Sequence, residues 1–322
     1  MRVTTDLSAC PTPARGTVVT IGAFDGVHRG HRAVFATLRS HAERLGCETA
    51  VVTFDPHPAT VVRPESAPKL LTSLEQRLEL IAEAGVDQTV VIHFDEERSR
   101  EPAADFVHEV LRDCLQAKAV VVGENFHFGR DREGTIDLLR KLGADLGFEV
   151  HPLPLVPRHD GVAEAVSSTA IRRALDGGDV ALAARLLGRP FELRGTVVHG
   201  DGRGRRLGYP TANLAVAEDR RIPADAVYAG WYVLPDGTVR PAAISIGRRP
   251  TFAEHASTSV VEAHLLDFDG DLYGQEARLR FVALVRSQQK FDSPEALVDQ
   301  LRHDVVVVRD LLADARSAAT PT

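Results

Sequence analysis

The first half of the chain alternates short runs of β-branched residues with longer segments of helical periodicity, and this alternation restricts the fold more than any other feature. The β-branched runs are almost entirely apolar, which is typical of strands buried on both faces. Strand–helix–strand repeats of this kind predict a doubly wound α/β domain with a parallel sheet, whose ligands bind beyond the carboxyl ends of the strands. The predicted strands are Thr17–Ile21, Glu48–Phe54, Gln88–Phe94, Ala119–Val122 and Glu149–Leu153, and the predicted helices are His31–Leu45, Ser73–Ala84, Ala103–Leu115, Thr135–Leu146, Ser168–Leu175 and Val180–Leu187.

The pattern changes near Gly188, where β-runs separated by turn residues replace the alternation. Such a series without intervening long helices predicts a compact antiparallel barrel. A terminal helix is expected from about Ser293, the N-cap, with Pro294 at its first position. We therefore divide the chain into domains of residues 1–187 and 188–322. The predicted barrel strands are Glu192–Val198, Val227–Leu234, Pro241–Ile246, Val260–Phe268 and Ala277–Val285.

Charge and apolar content exclude several classes of protein. The net charge of −7 argues against a protein that binds nucleic acid through a basic surface. No apolar run approaches the roughly 18 residues of a membrane span, and the N-terminus lacks the apolar core of a signal peptide. We therefore expect a cytoplasmic protein without a membrane partner.

The chain has three cysteines, Cys10, Cys47 and Cys114. An odd number at wide spacing matches neither a disulfide framework nor a zinc site. The expectation is therefore three free thiols in a reducing cytosol.

Residues 22–31 follow the first predicted strand and read Gly-Ala-Phe-Asp-Gly-Val-His-Arg-Gly-His. Three glycines at the start of a helix allow the backbone to approach a phosphate closely. His28 and His31 are three residues apart, so both imidazoles can turn towards one spot. There they can donate to phosphate oxygens and stabilise charge on a departing pyrophosphate. A glycine-rich turn with surface histidines is the alternative interpretation, which the strand before and the helix after disfavour.

This segment resembles the signature of the nucleotidylyltransferase superfamily. It is similar to the form found in the FMN adenylyltransferase domain of bacterial bifunctional riboflavin kinase/FAD synthetases. Three further matches follow in order: Thr-Phe-Asp-Pro-His-Pro at 53–58, Gly-Glu-Asn-Phe-His-Phe-Gly at 123–129, and Val-Ser-Ser-Thr-Ala-Ile-Arg at 166–172. All of them fall at predicted strand ends or at a helix start, which supports the resemblance independently.

The resemblance implies the roles of individual residues in the first domain. An FMN phosphate oxygen attacks the α-phosphorus of ATP, pyrophosphate leaves, and His28 and His31 act as the catalytic groups on the ATP phosphates. Little covalent chemistry is needed, so positioning and charge neutralisation dominate. The implied ATP and phosphate contacts are Gly22, Phe24, Asp25, Gly26, Gly30, Ser168, Thr169 and Arg172, and the implied flavin contacts are Asn125, Phe54, Pro56 and Pro58.

The second half contains no GxxxxGK[ST] motif, so phosphoryl transfer there requires another phosphate cradle. The candidate is the glycine- and arginine-rich segment 199–214, which contains Pro-Thr-Ala-Asn at 210–213 and resembles riboflavin kinases. The resemblance implies that Thr211 and Asn213 hold Mg²⁺ and nucleotide phosphate, and such oxygen ligands suit a hard cation. The phosphate contacts implied for this loop are Gly200, Gly202, Gly208 and Thr211.

A glutamate in the segment 261–268 completes the second candidate site. The resemblance implies that Glu262 accepts the proton of the riboflavin 5′-hydroxyl while the metal neutralises the phosphoryl group. The segments 247–252 and 271–274 also match the kinase pattern. Ser245 departs from it, because many relatives have Asn there, and we expect this change to tune the loop without loss of activity.

Together these features predict a bifunctional enzyme that converts riboflavin to FMN and FMN to FAD, with ATP as co-substrate and Mg²⁺ as cofactor. Its expected partners are riboflavin, FMN, FAD, ATP, ADP and pyrophosphate, and homo-oligomerisation is left open. Two alternatives remain: a riboflavin kinase whose adenylyltransferase half is degenerate, and a flavin-binding regulator without catalysis. A dinucleotide-dependent oxidoreductase is disfavoured because no GxGxxG follows the first strand.

Overall fold

The computed structural model describes residues 1–10, 13–158, 160–248 and 259–319. The chain forms two compact units, Met1–Ser168 and Thr169–Thr322. The first contains a six-stranded parallel sheet and the second a closed antiparallel barrel followed by a long helix. The predicted fold class is therefore confirmed. The helices that precede Gly188 lie with the barrel, since Val180–Leu187 packs against two of its strands.

The sheet of the first unit has the strand order β1-β4-β3-β2-β5-β6, and every neighbouring pair is parallel. Helices and short 3₁₀ turns connect the strands, and a π-helix at Val107–Cys114 continues the fifth helix. The strands are β1 Arg2–Thr4, β2 Thr17–Ile21, β3 Glu48–Asp55, β4 Gln88–His93, β5 Ala117–Gly123 and β6 Glu149–Leu153. The helices are α1 Arg29–Leu45, α2 Pro58–Val62, α3 Leu74–Glu83, α4 Glu96–Ser99, α5 Ala103–Phe106 and α6 Ile136–Leu146.

Strand β2 shows why the apolar runs form a covered sheet. All five of its residues are buried. Val18 belongs to one hydrophobic cluster, whereas Val19 and Ile21 belong to another. Because successive side chains of a strand point to opposite faces, a layer of helices must cover each face.

The connections reverse direction at β2. From β2 the chain proceeds through β3 to β4 on one side, and it then returns to add β5 and β6 on the other side. In open parallel sheets the ligand crevice lies at such a switch point, outside the carboxyl ends of the strands. The loops after β2, β3 and β5 therefore define the candidate site. The sequence analysis missed β1, a three-residue edge strand paired with β4.

The barrel of the second unit closes in the order β10-β11-β8-β7-β12-β9. The sequence analysis missed only β8 among its strands, because four residues within a glycine-rich segment carry little periodicity. The strands are β7 Phe191–Val198, β8 Ala212–Ala215, β9 Ala226–Val233, β10 Val239–Arg248, β11 Ser259–Leu265 and β12 Glu276–Ser287. The helices are α7 Ser168–Asp176, α8 Val180–Leu187, α9 Arg203–Arg206 and α10 Pro294–Ala319.

Helix α10 covers one side of the barrel. Val308 and Leu312 pack with Ala229 and with the indole of Trp231. Ser293 caps the helix, since its hydroxyl accepts a hydrogen bond from the amide of Ala296 at 3.2 Å. In the part of the chain that the structure describes, neither this helix nor any other is long and apolar enough to cross a membrane.

The expectation of three free cysteines is wrong for two of them. Cys10 and Cys114 form a disulfide with their Cα atoms 5.2 Å apart, and Cys47 is free. The bond joins the N-terminal segment to the end of the π-helix, across 104 residues of sequence. The sequence does not reveal this pair because the two cysteines are far apart in the chain. Only the tertiary fold brings the two segments together.

Candidate functional site

The loop between β2 and α1 is held in an unusual backbone conformation. Phe24 has a φ of 48°, Val27 a φ of 39° and Gly26 a φ of 82°, all in the left-handed region. Non-glycine residues rarely adopt this region, and a β-branched residue such as Val27 is strained there. Both Phe24 and Val27 are buried. Surrounding structure must therefore enforce the loop geometry.

The carboxylate of Asp25 accepts several of the hydrogen bonds that hold this conformation. It is 3% exposed and accepts hydrogen bonds from the amides of Leu71 and Thr72 at 3.0 Å. The Thr72 hydroxyl donates to the same carboxylate at 3.1 Å and accepts from the amide of Gly26 at 3.0 Å. Asp25 therefore anchors the loop to the segment before α3. This geometry favours a positioning role over the phosphate contact that the resemblance implied.

The two histidines lie together, as their spacing predicted. Their rings stack with centroids 3.6 Å apart and an interplanar angle of 20°. His28 is the N-cap of α1, where its Nδ1 accepts from the amide of His31 at 3.4 Å. Because Nδ1 accepts this bond, the proton of the neutral ring resides on Nε2.

Gly22, in this loop, and Gly30, in the first turn of α1, leave space for neighbouring aromatic rings. A Cβ atom at Gly30 would lie 3.1 Å from the imidazole of His28, closer than ordinary packing allows. A Cβ atom at Gly22 would lie 3.1 Å from the ring of Phe24. The absence of a side chain at Gly22 and Gly30 thus leaves room for the neighbouring rings. It also allows a ligand to approach the backbone closely.

The end of β3 lies beside this loop. The buried guanidinium of Arg77 donates to the carbonyl oxygens of Ala23 and Phe54, each at 2.9 Å, and so joins the carboxyl ends of β2 and β3. Phe54 is half-buried and packs edge-on against Phe94 with ring centroids 5.6 Å apart. Pro56 follows β3, and Pro58 begins α2. Arg77 has no local sequence signal, and the sequence analysis missed it.

Asn125 lies at the third loop, directly after β5. Its side chain is exposed, and its Oδ1 would be 3.4 Å from a Cβ atom at Gly123. Because β3, β2 and β5 are neighbours, the carboxyl edge of the sheet brings Asn125, the histidines and Phe54 to one end. This confirms that the first three motifs share an edge of the sheet.

The fourth motif begins α7, at the division between the two units. Ser168 is the last residue of the first unit, and its hydroxyl donates to the backbone carbonyl of Asp25 in the same unit at 2.8 Å. Thr169 is exposed and Arg172 is half-buried, and both belong to the second unit. Burial and the nearby charge of Arg172 lower the pKa of Arg221, which also pairs with Asp176.

In the barrel, three polar residues occupy one cross-strand row. Glu262 on β11 is the direct partner of Ser245 on β10 and of Asn213 on β8. Cross-strand partners have Cβ atoms about 4.5–5.5 Å apart, so their side chains can interact. The structure thus brings together Glu262 and Asn213, which are 49 residues apart in the chain.

The glycine-rich segment packs over this row. A Cβ atom at Gly200 would lie 2.5 Å from Nδ2 of Asn213, so only glycine lets the loop cover that carboxamide. Gly202 and Gly208 are left-handed, with φ of 64° and 85°, and they flank the one-turn helix α9. The segment is thus a folded turn with a defined path.

A cavity of about 520 Å³ adjoins the segment. Its walls include Thr211, Arg205 and the loop 268–273. The rings of His199 and Tyr273 stack with centroids 3.9 Å apart, which connects the glycine-rich segment to this loop. A volume of this size accommodates a nucleotide-sized ligand. Residues 249–252 of the predicted kinase pattern lie outside the described residues.

Two further aromatic groups of the barrel take no part in acid–base chemistry near neutral pH. Burial raises the pKa of Tyr228 to about 12, with a smaller effect from the charge of Asp225, and burial raises that of Tyr232 to about 12. Both hydroxyls therefore stay protonated. Tyr228 donates to the backbone carbonyl of Ala224 at 2.7 Å, which is a structural contact.

Comparison with known proteins matches each unit to a family. The FAD synthetase family profile matches residues 10–170, and the riboflavin kinase profile matches residues 187–312. A Pseudomonas fluorescens bifunctional riboflavin kinase/FMN adenylyltransferase is 42% identical, over 93% of this chain and 94% of its own length. The chain belongs to this bifunctional family.

A second relative and a solved structure also align with this chain over nearly their full length. The Escherichia coli K12 bifunctional riboflavin kinase/FMN adenylyltransferase is 37% identical, covering 95% of this chain and 96% of its own. A solved Streptococcus pneumoniae structure, described as a macrolide-efflux protein, superposes with a TM-score of 0.84 at 31% identity. That superposition covers 95% of this chain and 98% of the other chain, so the fold extends over both units.

Proposed function

We propose that the chain phosphorylates riboflavin to FMN with its barrel and adenylylates FMN to FAD with its parallel-sheet unit. The observation that supports the proposal is that each unit holds its own glycine-rich loop beside the polar side chains of its family's motif. One loop lies at the switch point of the sheet, and the other packs over Asn213.

In the kinase step, the 5′-hydroxyl oxygen of riboflavin attacks the γ-phosphorus of ATP. The bond from that phosphorus to the β-phosphate bridging oxygen breaks, and ADP leaves. Glu262 accepts the hydroxyl proton, which a carboxylate can do when it is held beside the nucleophile. The amides of the turn at 200–208 and the guanidinium of Arg205 stabilise the phosphates.

We propose Mg²⁺ as the cofactor of this step, held by the side-chain oxygens of Thr211 and Asn213. The donor set fits, because hydroxyl and carboxamide oxygens are ligands that hard cations accept. Asn213 is 9% exposed, and its position under Gly200 fixes the carboxamide in place. When bound, the ion neutralises charge on the nucleotide phosphates.

In the adenylyl-transfer step, a phosphate oxygen of FMN attacks the α-phosphorus of ATP, and the bond to the bridging oxygen breaks to release pyrophosphate. The Nε2–H of His28 donates to a phosphate oxygen and stabilises the charge that develops there. The amides at the start of α1 add donors at the positive end of the helix dipole.

The remaining assignments follow from the same argument. We propose residues 1–187 as the FMN adenylyltransferase domain and residues 188–322 as the riboflavin kinase domain. Flavin contacts are proposed at Phe54 and Asn125, because both lie at the carboxyl edge of the sheet. The proposed compartment is the cytoplasm, where ATP is the common phosphoryl donor.

The decisive experiment incubates the purified chain with riboflavin, ATP and Mg²⁺ and separates the flavins chromatographically over time. We expect FMN to form first and FAD to follow, and neither to form when a chelator removes the metal. FMN without FAD would favour a kinase with a degenerate first unit. Riboflavin binding without any product would favour a non-catalytic regulator.

A further inference from the structure

Gln288 follows β12 and lies against the ends of two other barrel strands. Its Nε2 donates to the carbonyl oxygen of Ile246 at 2.7 Å and to the hydroxyl of Ser245 at 3.1 Å, both on β10. A third acceptor, the carbonyl oxygen of Ala226 at the start of β9, lies at 3.4 Å. One carboxamide thus connects the ends of three strands.

The backbone at Gly247 leaves space for this carboxamide. A Cβ atom at Gly247 would lie 3.1 Å from Nε2 and 3.3 Å from Cδ of Gln288. A side chain at 247 would force the carboxamide to shift by a few tenths of an ångström, so the glycine allows this close contact. The φ of Gly247 is not in the left-handed region, so close packing is the reason that we assign to this glycine.

Ser245 connects Gln288 to the row of polar residues on the barrel. Its Oγ accepts from Gln288, which leaves its own proton free for donation in another direction. Its direct cross-strand partner is Glu262, whose carboxylate oxygens accept hydrogen bonds. Cβ separations of about 4.5–5.5 Å bring a serine hydroxyl within reach of a glutamate on the same face.

We propose that Gln288 is a positioning residue for Glu262 and acts through Ser245. The carboxamide orients the serine hydroxyl so that its proton points at the carboxylate, and the carboxylate is thereby held for the nucleophile. This inference rests on the proposed kinase function.

The test measures riboflavin kinase steady-state constants for Gln288→Ala, with Gln289→Ala as matched control. Gln289 is the adjacent glutamine and is exposed, as Gln288 is. We expect kcat to fall about 10-fold in Gln288→Ala while KM for riboflavin changes less than twofold, because orientation of a base affects the transition state more than binding. The control should match wild type, as should FAD formation from FMN in both variants.

A second pair of variants separates orientation from packing. Gln288→Glu keeps the size of the side chain but removes the donor, and Ser245→Ala removes the relaying oxygen while leaving Gln288 bonded to Ile246. Both should lose kcat to the same extent as Gln288→Ala. The double variant Ser245→Asn/Gln288→Ala should regain most of the lost kcat, because asparagine carries its own amide donor.

The outcomes distinguish this inference from the proposed function. A wild-type chain that makes no FMN refutes the kinase function itself. An active wild type with Gln288→Ala and Ser245→Ala both within twofold of it overturns the inference alone. A loss that appears only in KM, or that Gln288→Glu does not share, also overturns it.

Discussion

His28 has an observed structural role and a proposed catalytic role, and the choice of substitution can separate them. Its Nδ1 caps α1 by accepting from the amide of His31, and its Nε2–H is the donor that we propose for the ATP phosphates. An N-cap contributes about 1 kcal/mol to stability, whereas a donor to developing charge contributes about 10²–10³-fold in rate. Asparagine is a good N-cap but cannot replace the imidazole donor. The substitution His28→Asn therefore keeps the cap and removes the proposed donor.

We expect His28→Asn to lower FAD formation from FMN by at least about 100-fold, with the free energy of unfolding nearly unchanged. His28→Ala should lose the same activity and also about 1 kcal/mol of stability, because the cap is removed. His31→Ala should likewise impair FAD formation. Both activities and urea unfolding should be measured for each variant. FMN formation should be spared throughout, and a parallel loss in a folded variant contradicts the separation of the two sites.

Glu262 allows the corresponding experiment in the barrel. Glu262→Ala should lower FMN formation by at least about 10²-fold, the scale of general-base catalysis, while riboflavin affinity stays largely in place. Stopped-flow or steady-state assays of FMN formation and fluorescence titration with riboflavin measure the two quantities. Glu276→Ala, an exposed glutamate at the start of β12, serves as control. Unchanged turnover in Glu262→Ala removes this residue from the mechanism.

At the scale of elements, one buried ion pair fixes α10 to the barrel. Arg286 at the end of β12 donates to both carboxylate oxygens of Asp304, with contacts of 2.8–3.0 Å. The Asp304 side chain is 3% exposed, and Gln300 also donates to it at 2.8 Å. Removal of one partner leaves a buried charge without compensation, which typically costs about 3–5 kcal/mol.

We therefore expect Asp304→Ala to lower the free energy of unfolding of the barrel by about 3 kcal/mol. Asp299→Ala on the same helix, whose partner Arg302 is exposed, should cost less than about 1 kcal/mol. Denaturant unfolding monitored by the single tryptophan, Trp231, reports on this interface. If the two aspartate variants unfold alike, the pair does not fix α10.

The link between the N-terminal segment and the π-helix is also an element-scale feature. With Cys10 and Cys114 bonded, one thiol per chain, that of Cys47, should react in denaturant without reductant, and three should react after reduction. Protein trapped with an alkylating agent during cell lysis gives the same count for the native compartment. Three reactive thiols before reduction would show that the pair is open, as a reducing cytosol favours.

At the scale of the whole molecule, the chain forms two compact units, and we propose that they carry successive reactions. The product of one site is the substrate of the other, so chains defective at different sites should complement each other. An equimolar mixture of His28→Asn and Glu262→Ala should form FAD from riboflavin, although neither variant does so efficiently alone. Chromatography of the flavins checks this, and FMN accumulation without FAD in the mixture would contradict free exchange of the intermediate.

The agreement between sequence and structure depends on how local each signal is. Strand β2 and helix α8 have the predicted bounds, because continuous apolar runs, a capping aspartate and a terminal glycine are local features. The edge strand β1 and the four-residue β8 were missed, since short strands are specified by their partners. The same holds for Arg77 and Gln288, whose importance comes from the carbonyl groups that they bridge.

The sequence by itself determined the two-part architecture, the motifs and their order, because periodicity, caps and turn residues act over a few neighbouring positions. Only the tertiary structure decided which distant residues meet. It placed Glu262 in register with Asn213 and Ser245, turned the Asp25 carboxylate inward to anchor a strained loop, and paired Cys10 with Cys114. Strand register, buried hydrogen bonds and disulfides join segments far apart in the chain, and their partners are fixed by packing of the whole fold.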